Sequence, residues 1–272
     1  MNKFKYKFNL NIINEINFAK KKVINLIDVK YVKKFKFDNI SSNSNNYIKN
    51  CFFIAFNILK KNKQIALFNG PISKKHFLKK KYLGMSEYIA KKFKIKDEVM
   101  LIYNNKISVS PITTHLSIKD VPKKINKKKI INNILKINNF YKYNFNKRPM
   151  IAVLGLNPHC ETIHNFSEEK KEIIPAIKYL NKKKIKIYGP FSADTFFLNK
   201  NIKFFDVVIG MYHDQVLTPL KTLYNFDAVN LTIGLPFIRI SPDHGPNEKM
   251  IGKNISDPTS IFCAMNLFNK LK

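Results

Sequence analysis

The chain has 272 residues, enough for one large core or two modest domains, and 45% of them are hydrophobic, which excludes disorder as the overall state. Its formal net charge of +31 is carried almost wholly by lysine, since only Arg148 and Arg239 are arginine. Grooves that read nucleic acid favour arginine's planar fork, so this lysine coat reflects compositional drift, and no specific nucleic-acid partner is expected. Cys51, Cys160 and Cys263 are widely spaced and form no CxxC pair. They read as reduced thiols of a cytoplasmic protein. The N-terminal segment lacks the apolar h-region of a signal peptide, and no run of about 18 apolar residues suits a membrane span.

In chain order, residues 1–50 are rich in lysine and asparagine and carry no identifiable chemistry. Phe52, Phe53, Ala55, Phe56 and Leu59 have helical spacing. Gln64–Asn69 reads as a short buried strand closed by Gly70-Pro71, and Glu98–Tyr103 as a second strand. A basic helix is expected over Lys124–Asn139, then a strand over Met150–Leu156. Ile174–Leu180 is helical with Pro175 in its first turn, where a missing N–H costs nothing. Lys184–Gly189 and Asp206–Tyr212 are further strands. Asp257 as N-cap and Pro258 as first residue open a last helix whose apolar stripe is Ile261, Ala264, Met265 and Phe268. This alternation predicts an α/β protein with a largely parallel sheet and its chemistry at the carboxyl ends of strands.

The histidines sort by that rule. Of His76, His115, His159, His164, His213 and His244, three follow strands: His115 after PITT, His159 after MIAVLGLNP and His213 after DVVIGMY. Each alone reads as a hydrogen-bonded loop histidine. Three at strand ends point to a divalent-metal site with an open coordination position. Asp214 and Asp194 are candidate partners of such a site, as ligands, orienting groups or a general base, or else are turn and cap residues. Lys221, Asn230 and Arg239 follow at equal intervals. A scarce arginine in the apolar context LPFIRIS suits a bound anion, with a structural salt bridge as the alternative.

The segments TTH, LGLNPH, GPFSADTFF, MYHDQ, NLTIGLPFIR and DHG occur in this order. Together they resemble the 4-hydroxythreonine-4-phosphate dehydrogenase family of vitamin B6 biosynthesis, from about Gln64 to the C-terminus. The resemblance implies an isocitrate/isopropylmalate-dehydrogenase-like α/β fold of two α/β/α subdomains with an active-site cleft between them. Residues 1–80 with 240–272 would form the first, N-terminally shortened, and residues 81–239 the second. It implies that His115, His159 and His213 hold a divalent metal (Zn, Mg or Co) at a site shared between the subunits of a homodimer. Lys221, Asn230 and Arg239 would hold a small phosphorylated substrate, with Met85 and Ser86. Asp194 and Asp214 would be the carboxylates near the metal. Asp243, His244, Gly245 and Asp257 would lie on the NAD or NADP side. The implied activity is oxidation of 4-phosphohydroxy-L-threonine. The alternatives are a related dehydrogenase of another phosphorylated or acidic substrate, or a non-catalytic lysine-rich binding protein.

Four features depart from the family pattern. Gly84-Met85-Ser86-Glu87 stands where the family has GHTE. Cys160, Thr162, Ile163 and Phe166 fall in a normally glycine-rich stretch. Pro246-Asn247 follows DHG, and an early glycine-rich GEPAGIG-type loop is missing.

Overall fold

The computed structural model describes residues 9–31, 39–62, 65–79, 81–161, 163, 165–198, 202–225 and 227–271. Gln64, Thr162 and His164, singled out above, lie outside the described residues. The chain divides into two compact units, Met1–Ile65 and Ala66–Lys272.

In the first unit, β1 (Leu10–Ile12) pairs in parallel with β2 (Ile24–Leu26). Asn25 ties the intervening loop by accepting from Lys20 N and donating to Lys20 O, both at 2.9 Å. Helix α1 (Asn45–Lys61) follows a turn in which Ser41 Oγ accepts from Asn43 N. Phe52, Phe56 and Leu59 are buried at helical spacing, whereas Phe53, also expected inward, is exposed.

The second unit carries every candidate site residue. Its elements are β3 (Leu67–Phe68), α2 (Lys74–Phe77), α3 (Met85–Lys92), β4 (Val99–Tyr103), β5 (Ser108–Thr113), α4 (Val121–Lys124), α5 (Lys127–Phe145), β6 (Ile151–Leu154), α6 (Ile174–Lys182), β7 (Ile187–Phe191), α7 (Ala193–Phe196), β8 (Val207–Tyr212), α8 (His213–Tyr224), β9 (Val229–Ile233), β10 (Arg239–Pro242) and α9 (Thr259–Lys270). The strands form one sheet in the order β3-β10-β9-β4-β5-β8-β6-β7.

The sheet is mixed rather than largely parallel. β10–β9, β9–β4 and β4–β5 are antiparallel, and the other four pairings are parallel. The connections β4–β5 and β9–β10 span only a few residues, too short for the crossover that a parallel pair needs. Alternate residues serve opposite faces. Ile151, Val153, Val207, Ile209 and Met211 pack with Ile130, Ile134 and Ile137 of α5 and Leu180 of α6. Ala152, Leu154 and Val208 pack on the other face with Phe196 of α7 and Val216, Leu217 and Leu220 of α8. A sheet covered on both faces explains the unbroken apolar runs of β6 and β8.

Two helix expectations shift. The basic helix starts at Lys127, because Asn126 Oδ1 caps it by accepting from Lys129 N at 2.8 Å, and the preceding turn with Pro122 forms the separate α4. The last helix has Pro258 as N-cap, with Asp257 Oδ1 accepting from Thr259 N at 2.9 Å. Its buried row is Ser260, Ala264 and Leu267, while Met265 and Phe268 of the expected stripe are 55% and 45% exposed. Ser260 sets this rotation: its hydroxyl lies 3.3 Å from Asp243 N and 3.4 Å from Ala228 O, turning that edge of α9 onto the sheet. Among the described residues no helix is long and apolar enough to cross a membrane.

Candidate active site

Strands β5, β8 and β6 are adjacent and mutually parallel, so their carboxyl ends share one rim. Each delivers one histidine there: His115 two residues after β5, His213 as the first residue of α8, and His159 in a turn (Pro158–Cys160) after β6. His115 and His159 have left-handed backbones, with φ of 38° and 55°. Such strain in bulky residues persists where surrounding contacts enforce it, and it clusters at functional sites.

The contacts that shape the rim are polar. Thr113 Oγ1 donates to Met211 O at 2.7 Å, joining the ends of β5 and β8. Gln215 accepts from Met211 N and donates to Gly155 O, both at 2.7 Å, joining β8 to β6. The fully buried Glu169 accepts from Leu156 N and Asn157 N through Oε1, and from Asn157 Nδ2 through Oε2, each at 2.8 Å. It thereby fixes the loop leading to His159. Gly155 permits that closure, since a Cβ there would meet Cys160 Sγ at 2.7 Å and Glu169 Oε1 at 3.1 Å.

His115 and His213 face each other with ring centroids 5.6 Å apart. His213 Nδ1 lies 2.6 Å from Asp214 Oδ1, an arrangement that leaves Nε2 as the nitrogen available to a further partner. His115 Nδ1 lies 3.8 Å from Glu87 Oε1, and its Nε2 lies 3.1 Å from Lys74 Nζ. Burial pushes the Glu87 carboxyl up, but His115, the Glu87 backbone N–H and Thr114 together bring it below the usual carboxylate range. His159 stands apart. Its side chain is 79% exposed and Nδ1 is 3.8 Å from Asp194 Oδ2. A 2.6 Å hydrogen bond from Ser192 Oγ lowers the Asp194 pKa, helped by His159. Among the described residues of one chain, no three His, Cys, Asp or Glu side chains gather closely enough to hold a metal ion. One chain therefore brings His115 and His213 together and leaves His159 facing outward.

Beside His115 and His213 lies a cavity of about 530 Å³, lined among others by Ser86, Lys221, Asn230 and Arg239. Arg239, the first residue of β10, is 2% exposed. Its Nε donates to Asn69 Oδ1 at 2.8 Å, and Nη1 donates to Thr232 Oγ1 at 3.1 Å and Ser86 Oγ at 3.4 Å. These partners are neutral. No described carboxylate lies within salt-bridge distance of Arg239, which answers the salt-bridge alternative. Burial lowers the guanidinium pKa to about 10, with Glu87 opposing, so it stays charged. A buried cation with only neutral partners at a cavity wall is suited to an anionic ligand. Asn230 Oδ1 is buried with no hydrogen-bond partner, an acceptor available to a ligand donor. Met85, the first residue of α3, is buried against the same cavity.

Lys221 Nζ lies 3.2 Å from both Asp243 Oδ2 and Asp243 O, so the expected substrate lysine is tied to the expected nucleotide-side aspartate. Burial raises the Asp243 pKa, and Lys221 opposes it. His244 and Gly245 lie on the cavity wall, whereas Asp257 does not and caps α9 instead. Glu169, Gln215, Glu87 and Lys74 carried no role in the sequence reading. The only available signal for Glu87 was its place in the GMSE segment.

An α/β sheet with histidines along one rim and a buried arginine on the wall of the adjacent cavity defines an enzyme of the isocitrate/isopropylmalate-dehydrogenase-like fold. Residues 1–268 match the family described as pyridoxal phosphate biosynthetic protein PdxA, and the chain belongs to that family. It is 40% identical over 272 residues to a 4-hydroxythreonine-4-phosphate dehydrogenase of Sulfurihydrogenibium sp., covering 97% of this chain and 82% of that one. The same enzyme of Aquifex aeolicus is 40% identical over 70% of this chain, which spans only 59% of that relative. The solved 4-hydroxythreonine-4-phosphate dehydrogenase from Klebsiella pneumoniae superposes with a TM-score of 0.81 at 29% identity, covering 97% of this chain and 84% of that one.

Proposed function

We propose that the chain oxidises 4-phosphohydroxy-L-threonine to 2-amino-3-oxo-4-phosphooxybutanoate with NAD or NADP and a divalent metal, in pyridoxine 5'-phosphate biosynthesis. The product then decarboxylates to 3-amino-2-oxopropyl phosphate. The observation that carries this reading is Arg239, a buried guanidinium with neutral partners, on the wall of the cavity that also holds His115 and His213. The relatives, 4-hydroxythreonine-4-phosphate dehydrogenases by name, support it.

Arg239, Lys221, Asn230 and Ser86 bind the phosphorylated substrate, and Met85 closes one side of the cavity. His115 and His213 present ring nitrogens suited to a divalent ion such as Zn, Mg or Co. His159 of the partner subunit supplies the third ligand in a cytoplasmic homodimer. Its exposure in this chain and its strained backbone support that assignment. When bound, the ion lowers the pKa of a chelated hydroxyl and polarises a carbonyl. Asp214 orients His213, and Asp194 or Asp214 takes the substrate hydroxyl proton, while a bound nicotinamide would supply the hydride acceptor. The resulting 3-oxo acid loses CO2 as its C–C bond breaks, and the carbon left behind takes a proton. Asp243, His244, Gly245 and Asp257 are assigned to the nucleotide side. The proposal retains the subdomain division of residues 1–80 with 240–272 against 81–239.

A second reading, oxidation of another phosphorylated or acidic hydroxy compound, is favoured by Met85, a thioether where the family has histidine. The test mixes purified protein, NAD+ or NADP+ and Mg2+, Zn2+ or Co2+ with 4-phosphohydroxy-L-threonine. Reduced cofactor and CO2 are expected. No reduced cofactor with any of these ions overturns the first reading, and turnover of a different phosphorylated hydroxy acid establishes the second.

A further inference from the structure

We propose that Glu87 and Lys74 clamp the His115 imidazole in its Nδ1–H tautomer, and that the Lys74 ammonium holds the place of the metal ion at Nε2. The first half stands on geometry alone, and the second rests on the metal assignment above.

The ring is bracketed by opposite charges on its two nitrogens. Glu87 Oε1 faces Nδ1 at 3.8 Å, longer than a hydrogen bond but within ion-pair range. A carboxylate there attracts an N–H and repels a lone pair. Thr114 Oγ1 donates to the same oxygen at 3.3 Å and holds the carboxylate towards the ring. On the other side Lys74 Nζ lies 3.1 Å from Nε2. An ammonium has only donors, so it requires a lone pair on Nε2. Both contacts select the same tautomer, the one that offers Nε2 as a ligand.

Local sequence makes this bracket possible. Gly84 is the N-cap of α3, and a Cβ on it would come within 2.7 Å of Glu87 Oε2 and 3.2 Å of His115 Cε1. The side chains therefore share the space that glycine leaves open. Lys74 starts α2 and lines the same cavity. Its ammonium occupies the lone pair from which a divalent ion would be held, so ion binding must displace it. Loss of Glu87 and loss of Lys74 then act on metal affinity in opposite directions.

The test uses the full chain. Ring 15N NMR without added metal is expected to show His115 protonated at Nδ1. Glu87→Ala combined with Lys74→Met removes both contacts and is expected to move the proton towards Nε2, whereas Glu87→Gln, whose carbonyl still faces Nδ1, combined with Lys74→Met is expected to keep it at Nδ1. In Co2+ titrations Glu87→Ala is expected to weaken binding about tenfold or more. Lys74→Met is expected to tighten it roughly fivefold, by removing a like charge near the ion. An unchanged tautomer in the Glu87→Ala, Lys74→Met double variant overturns the clamp, and weaker or equal Co2+ binding by Lys74→Met alone overturns the placeholder. A wild-type chain that binds no Co2+ removes both the metal assignment and the placeholder, and the NMR result still decides the clamp.

Discussion

On the β5–β8 side of the rim, His115 and His213 stand 5.6 Å apart, each with a carboxylate at one ring nitrogen, beside the cavity that Arg239 lines. On the far side of β6, His159 projects from an exposed turn and Asp194 from the exposed start of α7, with no third candidate ligand among the described residues. The first region gathers its polar side chains, two histidines and a buried arginine, around one cavity. The second is rigid in its backbone, through Glu169, but open in its side chains. On the proposed reading, one subunit carries a complete substrate pocket and only part of a metal site. An exposed histidine on a fixed, strained turn is what a second subunit needs if it is to be completed from outside.

The largest expected effect falls on the organised side. Arg239→Met removes the buried charge and takes the donor from Asn69 Oδ1, while Ser86 Oγ and Thr232 Oγ1 keep each other at 2.9 Å. We expect a loss of about 2–5 kcal/mol in transition-state stabilisation, read as kcat/KM, comparable to truncating one partner of a buried charge pair. Near-normal kcat/KM would remove the anion pocket from the account. On the other side, Glu169→Ala leaves the Leu156 and Asn157 backbone donors without their acceptor and takes one of two acceptors from the Asn157 amide, which keeps Glu168. A stability loss of roughly 1–3 kcal/mol is expected, read as a lower denaturation midpoint, with the mixed-subunit activity described below also impaired. Should stability fall while that activity stays intact, the loop to His159 does not depend on Glu169. The smallest effect is a gain. Met85→His restores a donor at the cavity wall and should lower KM for the phosphorylated substrate by the equivalent of about 1 kcal/mol. An increased KM would show that the buried site has adapted to the thioether.

Much of this was legible in the sequence because the strands announce themselves. IAVL and VVIGMY are unbroken apolar runs, each followed by a histidine, and adjacent parallel strands then bring those ends to one rim. Arg239 stood out because arginine is so scarce in this chain. The residues that were not legible act across the fold. Glu169, Gln215 and Glu87 are single polar residues whose partners lie 12, 60 and 28 positions away, as Asn157, Gly155 and His115. No spacing rule reports such pairs. The rotation of α9 was missed for a related reason: a polar Ser260, anchored at Asp243 and Ala228, outweighs the larger side chains beside it.

The central claim is that the metal centre is completed by His159 of the partner subunit, and subunit mixing tests it most directly. His159→Ala and His213→Ala proteins, each inactive alone, would be unfolded together, refolded and assayed for reduced cofactor. Random pairing makes about half of the dimers mixed, and each mixed dimer regains one of its two sites, so the account predicts recovery to about a quarter of wild-type activity. No recovery, although mixed dimers are shown to form, would contradict it and place His159 and His213 in the same chain's contribution to each site.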